Sequence, residues 1–392
     1  MTKSPQEFFS RANAEAHCRA LIQRIRAAHL AGKRKKADYL SGVYLRSLDA
    51  RYLATLRGNA ALKKNRRVAT EKLLPIAQSL NAWAGTQEKV ILRLKPKENG
   101  DARKLMDYGI ENRALQYLVR PLIGAQFNLH PHQYGTRAGR DAAIKRVATF
   151  LEQGYVWAIE TDIKDCYPSF YGEKLSNFLP IPKKVTENVV CSVFYNLSLG
   201  HNSTFGPADG PEEDKILIGT LFADAQLGIP QGSATSALIL DYVLAPVFHQ
   251  LPKHGEIVGY ADNILVMGKS EDDAVSMTLA LWTALEANPA GHFRPKEPKA
   301  SEPGDPTDFL GYRLTLIDGS VRIEPTPKNL EKFYAMLSHE LSKIVNTSSA
   351  ILRARRVKKL RRRVYSWTAA FKLWDGAQEH AKVSLAKIAK AS

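Results

Sequence analysis

The chain has 392 residues, 44% of them hydrophobic, so it can bury a sizeable core and predicts two or three packed units rather than one. Its 56 Lys and Arg outnumber 39 Asp and Glu, giving a formal charge of +17 that favours a polyanionic partner; a charge-solubilised protein or a binder of acidic membrane surfaces is the plainer alternative. Cys18, Cys166 and Cys191 are too scattered for a disulfide framework or a paired-cysteine zinc site. Residues 1–11 lack a signal-peptide run and no stretch reaches the ~20 apolar residues of a bilayer span, so a soluble cytoplasmic setting with no membrane partner is expected.

Residues 12 to about 85 predict helices, because Leu21, Ile22 and Ile25 recur at helical spacing and proline is nearly absent before Pro75. The run at 32–36 (GKRKK) breaks the pattern and starts a new helix. From Val90 the pattern turns β-like, and 90–108 predicts a hairpin with a basic tip. Helices are predicted for 112–126 and 139–153, then an apolar strand for 156–163 (VWAIETDI) that ends in an acid. A Gly/Pro/Asp-rich loop at 200–214 precedes a helix over 233–248. Residues 256–267 (EIVGYADNILVM) predict a hairpin with an acidic apex. The proline-rich stretch 291–306 predicts a loop, and 309–324 a small hairpin. From Lys328 the chain predicts helix, with eight basic residues in Arg353–Arg363.

Asp162 and Asp262 therefore both sit at the ends of apolar strands. A carboxylate there is costly unless it is paired with a positive charge, and a divalent cation is a natural partner. Either acid alone is more simply a turn residue. Two metal ions held ~3.5–4 Å apart by carboxylates can activate a 3′-hydroxyl and stabilise a leaving pyrophosphate.

The segments DIKDCY (162–167), GIPQGS (228–233) and YADN (260–263) resemble, in order and spacing, the central motifs of reverse transcriptases. KPKENGDARKLMDY (95–108) is similar to the fingers hairpin of that family, QYGTRAGR (133–140) to an element of bacterial enzymes related to group II introns, and FLGY (309–312) to the element before the thumb. The resemblance spans about residues 90–325. It implies an α+β right-hand polymerase with a helical N-terminal extension (1–89), fingers and palm (90–325) and a helical basic thumb (326–392).

The resemblance implies the following roles. Asp162 and Asp262 are catalytic and hold Mg²⁺ or Mn²⁺, with the Ile163 carbonyl as a further metal ligand. Lys164, Asp165 and Cys166 line the triphosphate path, and the Tyr167 ring excludes a 2′-hydroxyl by volume. Gln231 and Gly232 meet the nucleotide or template, and Arg103 grips the triphosphate, assisted by Lys95 and Lys97. Lys299 stands in the region of a basic residue that protonates pyrophosphate. Arg356, Lys359 and Arg363 contact the template–primer backbone; a solvated helix is the alternative. Asn263 departs from the family, whose motif usually carries a second aspartate there, and removes one negative charge beside the metals.

The activity implied is RNA-directed DNA synthesis from dNTPs on an RNA template, giving a DNA product. Template-independent or protein-primed synthesis, or an inactive nucleic-acid scaffold, are the alternatives. The compact chain is similar to bacterial reverse transcriptases domesticated for antiphage defence, which makes a structured non-coding RNA a candidate partner. The oligomeric state is left open.

Overall fold

The structure, a computed structural model, describes residues 10–96, 102–191, 195–199, 219–220 and 222–391. Helices α1 (Arg11–Leu30), α2 (Arg34–Arg46), α3 (Leu48–Ala61) and α4 (Leu73–Ser79) lead into strands β1 (Val90–Pro96) and β2 (Ala102–Asp107). Then come α5 (Ile110–Ala125), α6 (Arg140–Glu152), β3 (Trp157–Lys164), α7 (Lys183–Val189), β4 (Leu197–Leu199) and α8 (Ser236–His249). Strands β5 (Glu256–Tyr260) and β6 (Asn263–Gly268) precede α9 (Glu271–Glu286), and β7 (Arg294–Pro295), β8 (Lys299–Ser301) and β9 (Thr307–Phe309) follow it. The hairpin β10 (Tyr312–Ile317) and β11 (Ser320–Pro325) and helices α10 (Pro327–Val345), α11 (Ala350–Ala370) and α12 (Ala377–Lys390) complete the α+β fold.

Two compact units are present, one of residues 1–136, 163–251 and 281–296, the other of residues 137–162, 252–280 and 297–392. In the first, Ser10 and Ser47 cap α1 and α3 by accepting the amides of Asn13 and Ala50. Helix α5 buries Leu115, Leu118, Leu122 and Ile123. It approaches α3 closely at Gly58, where a Cβ would stand 2.9 Å from the Ala114 nitrogen. The Glu88 carboxylate caps α5 by accepting the Asn112 amide at 2.9 Å, in space that a side chain at Gly109 would fill. Strand β1 pairs antiparallel with β2 and parallel with β4, and Val90, Leu92 and Leu94 point alternately into one core. The tip of this hairpin, including Lys97, and the loop at 200–214 lie outside the described residues.

In the second unit β5, β6, β3 and β8 form an antiparallel sheet in that order. Strands β9, β10 and β11 form a second sheet, and both β5 and the β10–β11 hairpin touch α6. Helices α10–α12 enclose Phe333, Leu337, Ile344, Leu360, Val364 and Ile388.

The stretch 291–306, expected as loop, contains β7 and β8. Strands of two or three residues carry too little periodicity to be read, and these form because the edge of β3 offers them hydrogen-bonding partners.

Candidate active site

The acids of the second unit are organised by β3 and by the β5–β6 hairpin. Asp162 lies opposite Asn263 in the β3–β6 ladder, and Tyr260 opposite Asn263 in the β5–β6 ladder. Ala261 and Asp262 are thus the two residues of a tight turn, and Ala261 has φ 54°. Paired residues in such ladders have Cα atoms ~4.5–5.5 Å apart. Asp162 on β3 and Asp262 in the adjoining β5–β6 turn therefore stand at the same end of the sheet. The Asn263 side-chain amide donates to Asp262 Oδ1 at 3.3 Å.

Glu160 shares the face of β3 with Asp162, two residues away, and is paired across the sheet with Lys299 on β8. Burial raises the Glu160 carboxyl above its ordinary value, Lys299 opposes this, and Asp162 and Asp308 add to it. Asp308 is held bidentately by Arg313 at 2.7 and 2.9 Å. Glu160, Lys299, Asp308 and Arg313 line a groove of about 640 Å³ that also touches Lys328 and Glu331.

The FLGY segment is a type I′ hairpin: Phe309 pairs with Tyr312, and Leu310 and Gly311 have φ 49° and 84°. Tyr312 is fully buried and donates its hydroxyl to the Ala370 carbonyl at 3.0 Å. The Arg140 guanidinium stacks over the Tyr312 ring at 4.8 Å and the Phe371 ring at 5.1 Å. This stack gives Arg140, the last residue of QYGTRAGR, a structural role that the sequence did not disclose.

The first unit organises the other expected residues. Gly228 has φ 62°, and a Cβ there would fall 2.1 Å from the Tyr167 carbonyl, which accepts the Ile229 amide at 3.0 Å. The Gln231 carbonyl accepts the Met106 amide at 3.1 Å, and the Gly232 carbonyl accepts Arg113 Nη1 at 2.7 Å. Gly232 has φ 95°, and a Cβ there would lie 3.2 Å from the Met106 carbonyl, so the position favours a residue without a side chain. Tyr167 and Gln231 are half-buried, and Lys164 and Asp165 are exposed. Cys166 is buried. Asp241, buried in α8, accepts the Thr136 amide at 3.1 Å, and its own carbonyl accepts Gln133 Nε2 at 3.0 Å. Gln133 and Thr136 are thereby tied to α8.

Beyond Asp162, Lys164 of β3 lies directly opposite Arg294 of β7, both exposed. Opposed like charges destabilise a strand pair unless an anion sits between them. Arg294 lies in the proline-rich stretch 291–306, where a two-residue strand leaves no periodic signal in the sequence. Lys95 and Arg103 face each other in the β1–β2 ladder, and their side chains lie outside the described residues.

On α11, Leu360 and Val364 face inward, while Arg355, Arg356, Lys358, Lys359, Arg361 and Arg362 are exposed. Arg363 is engaged by Glu340 of α10 at 2.9 Å. Arg355, Lys359 and Arg362 border a groove of about 620 Å³ floored by Met336 and Trp367.

Among the described residues no group of three or more His, Cys, Asp or Glu is arranged to hold a metal ion. The two aspartates nevertheless fit Mg²⁺, a hard cation usually held by one or two carboxylates plus substrate phosphates rather than by a closed protein cage. No helix of the described residues is long and apolar enough to cross a membrane.

No curated protein matches the chain. Among solved structures it is similar to telomerase from Candida albicans in complex with a TWJ fragment of telomeric RNA, at 9% identity and a TM-score of 0.38, covering 79% of this chain and 63% of that one. It is also similar to apo telomerase from Candida tropicalis truncated from the C-terminal domain, at 12% identity and a TM-score of 0.35, covering 61% of this chain and 56% of that one. The chain thus spans less than two thirds of the length of either. The family model described as "Reverse transcriptase (RNA-dependent DNA polymerase)" matches residues 95–314, more than half of the 392, and the chain belongs to that family.

Proposed function

We propose that the chain is an RNA-directed DNA polymerase that extends a 3′-hydroxyl with dNTPs on an RNA template, with residues 1–89 as extension, 90–325 as fingers and palm, and 326–392 as thumb. The observation that carries this reading is the register of Asp162 against Asn263, with Asp262 in the adjoining turn, inside the segment that matches the family. Asp162, Asp262 and the Ile163 carbonyl would hold Mg²⁺, or Mn²⁺ in its place. When bound, the ions supply charge stabilisation for the attacking and leaving oxygens of an in-line displacement.

The remaining roles belong to the chain's own side chains. Lys164 and Arg294, whose paired charges call for an anion, bind the triphosphate with Arg103, Asp165 and the Cys166 amide; Lys95 and Lys97 assist. Tyr167 carries the sugar-excluding ring. Gln231 and Gly232, held by Met106 and Arg113, set the floor under the nucleotide. Lys299, fixed opposite Glu160, is a proton donor for pyrophosphate.

Along the thumb, Arg356 and Lys359 grip the duplex backbone together with Arg355 and Arg362. Arg363 contributes less, because Glu340 already neutralises it. Neutralising Arg355, Lys359 and Arg362 is expected to flatten the salt dependence of template–primer binding by about one slope unit per lost contact, whereas Arg363→Gln changes it least. Equal slopes in both would return α11 to a solvated helix.

The subtype proposed is bacterial and group II intron-like, serving antiphage defence with a structured non-coding RNA. One observation favours a second reading: the Asn263 amide occupies an oxygen of Asp262, which suits an inactive scaffold. Incorporation of labelled dNTP by the purified chain across a Mg²⁺ and Mn²⁺ series separates the two. Product with its 5′ end sequenced distinguishes templated from untemplated or protein-primed synthesis. Absence of incorporation at every metal concentration would sink the polymerase reading.

A further inference from the structure

A groove of about 500 Å³ opens on the first unit where the end of α2, the start of α3 and the segment after α4 meet. Arg46, Arg51, Gln78, Ser79, Asn81 and Trp83 line it, and among the described residues no carboxylate does. The Arg46 guanidinium lies 5.4 Å from the centre of the Trp83 ring. Gly42 makes the room for this, since a Cβ there would stand 3.1 Å from Arg46 Nη2.

The wall is fixed by backbone hydrogen bonds. Arg51 Nη1 donates at 3.0 Å to the carbonyls of both Gln78 and Leu80. The Trp83 amide donates to Asn81 Oδ1 at 3.0 Å, and its carbonyl accepts Asn188 Nδ2 at 2.6 Å. The groove therefore presents an aromatic plane, a guanidinium plane parked against it and a net positive charge that no lining acid consumes. Nothing in the polymerase reading uses these residues.

We propose that this groove binds one unpaired RNA nucleotide, its base stacked on the Arg46–Trp83 layer and its phosphate drawn to the two guanidiniums. Unstacked RNA bases are recognised on aromatic rings and guanidinium planes, and the phosphate supplies the missing anion. The volume lies within the range of small-ligand sites. RNA is the polyanion chosen because the family copies RNA and the chain carries a charge of +17.

The test is binding of a single-stranded RNA 10-mer containing 4-thiouridine to the full chain, without dNTP or divalent metal, so that a failure of the polymerase reading leaves it unaffected. Irradiation is expected to crosslink the RNA to the tryptic peptide Leu73–Lys89, which holds Trp83. Trp83→Ala is expected to weaken binding about tenfold or more, Trp83→Phe to retain most of it, and Arg46→Gln to lower the salt slope by about 0.7. Thermal melting of each variant separates lost binding from lost folding. No crosslink on this peptide, unchanged affinity in Trp83→Ala, or equal losses in the Phe and Ala variants while both stay folded would overturn the proposal.

Discussion

Two tight turns of the second unit both open on a residue with positive φ, but only one carries that backbone through its second position. The β10–β11 turn is Asp318-Gly319, with φ 48° and 79°, between the paired residues Ile317 and Ser320. Asp-Gly is the pair that a type I′ hairpin favours, because both central residues need positive φ. The β5–β6 turn places Ala261, with φ 54°, and Asp262 between Tyr260 and Asn263. An alanine in that region costs of order 1 kcal/mol or more that glycine would avoid. One turn is chosen for geometry; the other tolerates strain and puts a carboxylate at the end of a buried hairpin. Local rules are broken where chemistry is proposed, which is where strain is expected to persist.

The largest break in this comparison comes from the acids themselves. Asp162→Ala and Asp262→Ala are each expected to reduce dNTP incorporation by at least about a thousandfold, as losses of groups that act in the transition state do. Stability should stay within about 1 kcal/mol of the parent, because removing Asp162 also relieves its repulsion with Glu160. Incorporation assays beside denaturant melts would show it. Near-normal activity in either variant would reduce this turn to an ordinary one.

Much of the contrast was legible in the sequence. The apolar runs around YADN and around the later hairpin defined both turns, and the acid near the end of VWAIETDI marked β3. Three things were not legible. The short strands β7 and β8 depend on a hydrogen-bonding edge supplied by distant β3, so Arg294 and the Lys299–Glu160 pairing looked like loop. The stack of Arg140 on Tyr312 and Phe371 joins residues more than 170 apart in sequence, which no local pattern encodes. Helical phasing spreads the basic residues of α11 around most of its surface, and the pairing of Arg363 with Glu340 required the packing of α10.

Position 263 sharpens the comparison next. An amide there lowers the negative charge facing the ions and donates to Asp262. Asn263→Asp is expected to shift half-saturation by Mg²⁺ about tenfold lower, or to change the Mg²⁺/Mn²⁺ preference, without loss of fold. A metal titration of both forms decides it; superimposable curves would mean that position 263 is chemically silent.

The structural turn should respond only in stability. Gly319 has open space around its missing Cβ, so Gly319→Ala meets no neighbour and the cost is confined to the backbone. The expected loss is about 1 kcal/mol, with incorporation unchanged. A variant as stable as the parent would show that αL backbone is not what this turn demands, and would remove the standard against which Ala261 is strained.

The smallest effect, and the most informative about cause, belongs to Ala261→Gly. Glycine relieves the positive-φ penalty but adds conformational entropy to the unfolded chain, so the net gain in stability should be only about 0.5 kcal/mol. The same freedom loosens the residue that precedes Asp262, and loss of positioning in an otherwise intact site lowers rate. Incorporation is therefore expected to fall about two- to fivefold while the melt shifts upward. Opposite signs in the two measurements are what a turn that trades stability for placement of its acid must give. If glycine raises stability and leaves the rate alone, the strain at Ala261 is incidental to the site. If it lowers stability, the surrounding strands favour the alanine, and the two turns differ in packing rather than in purpose.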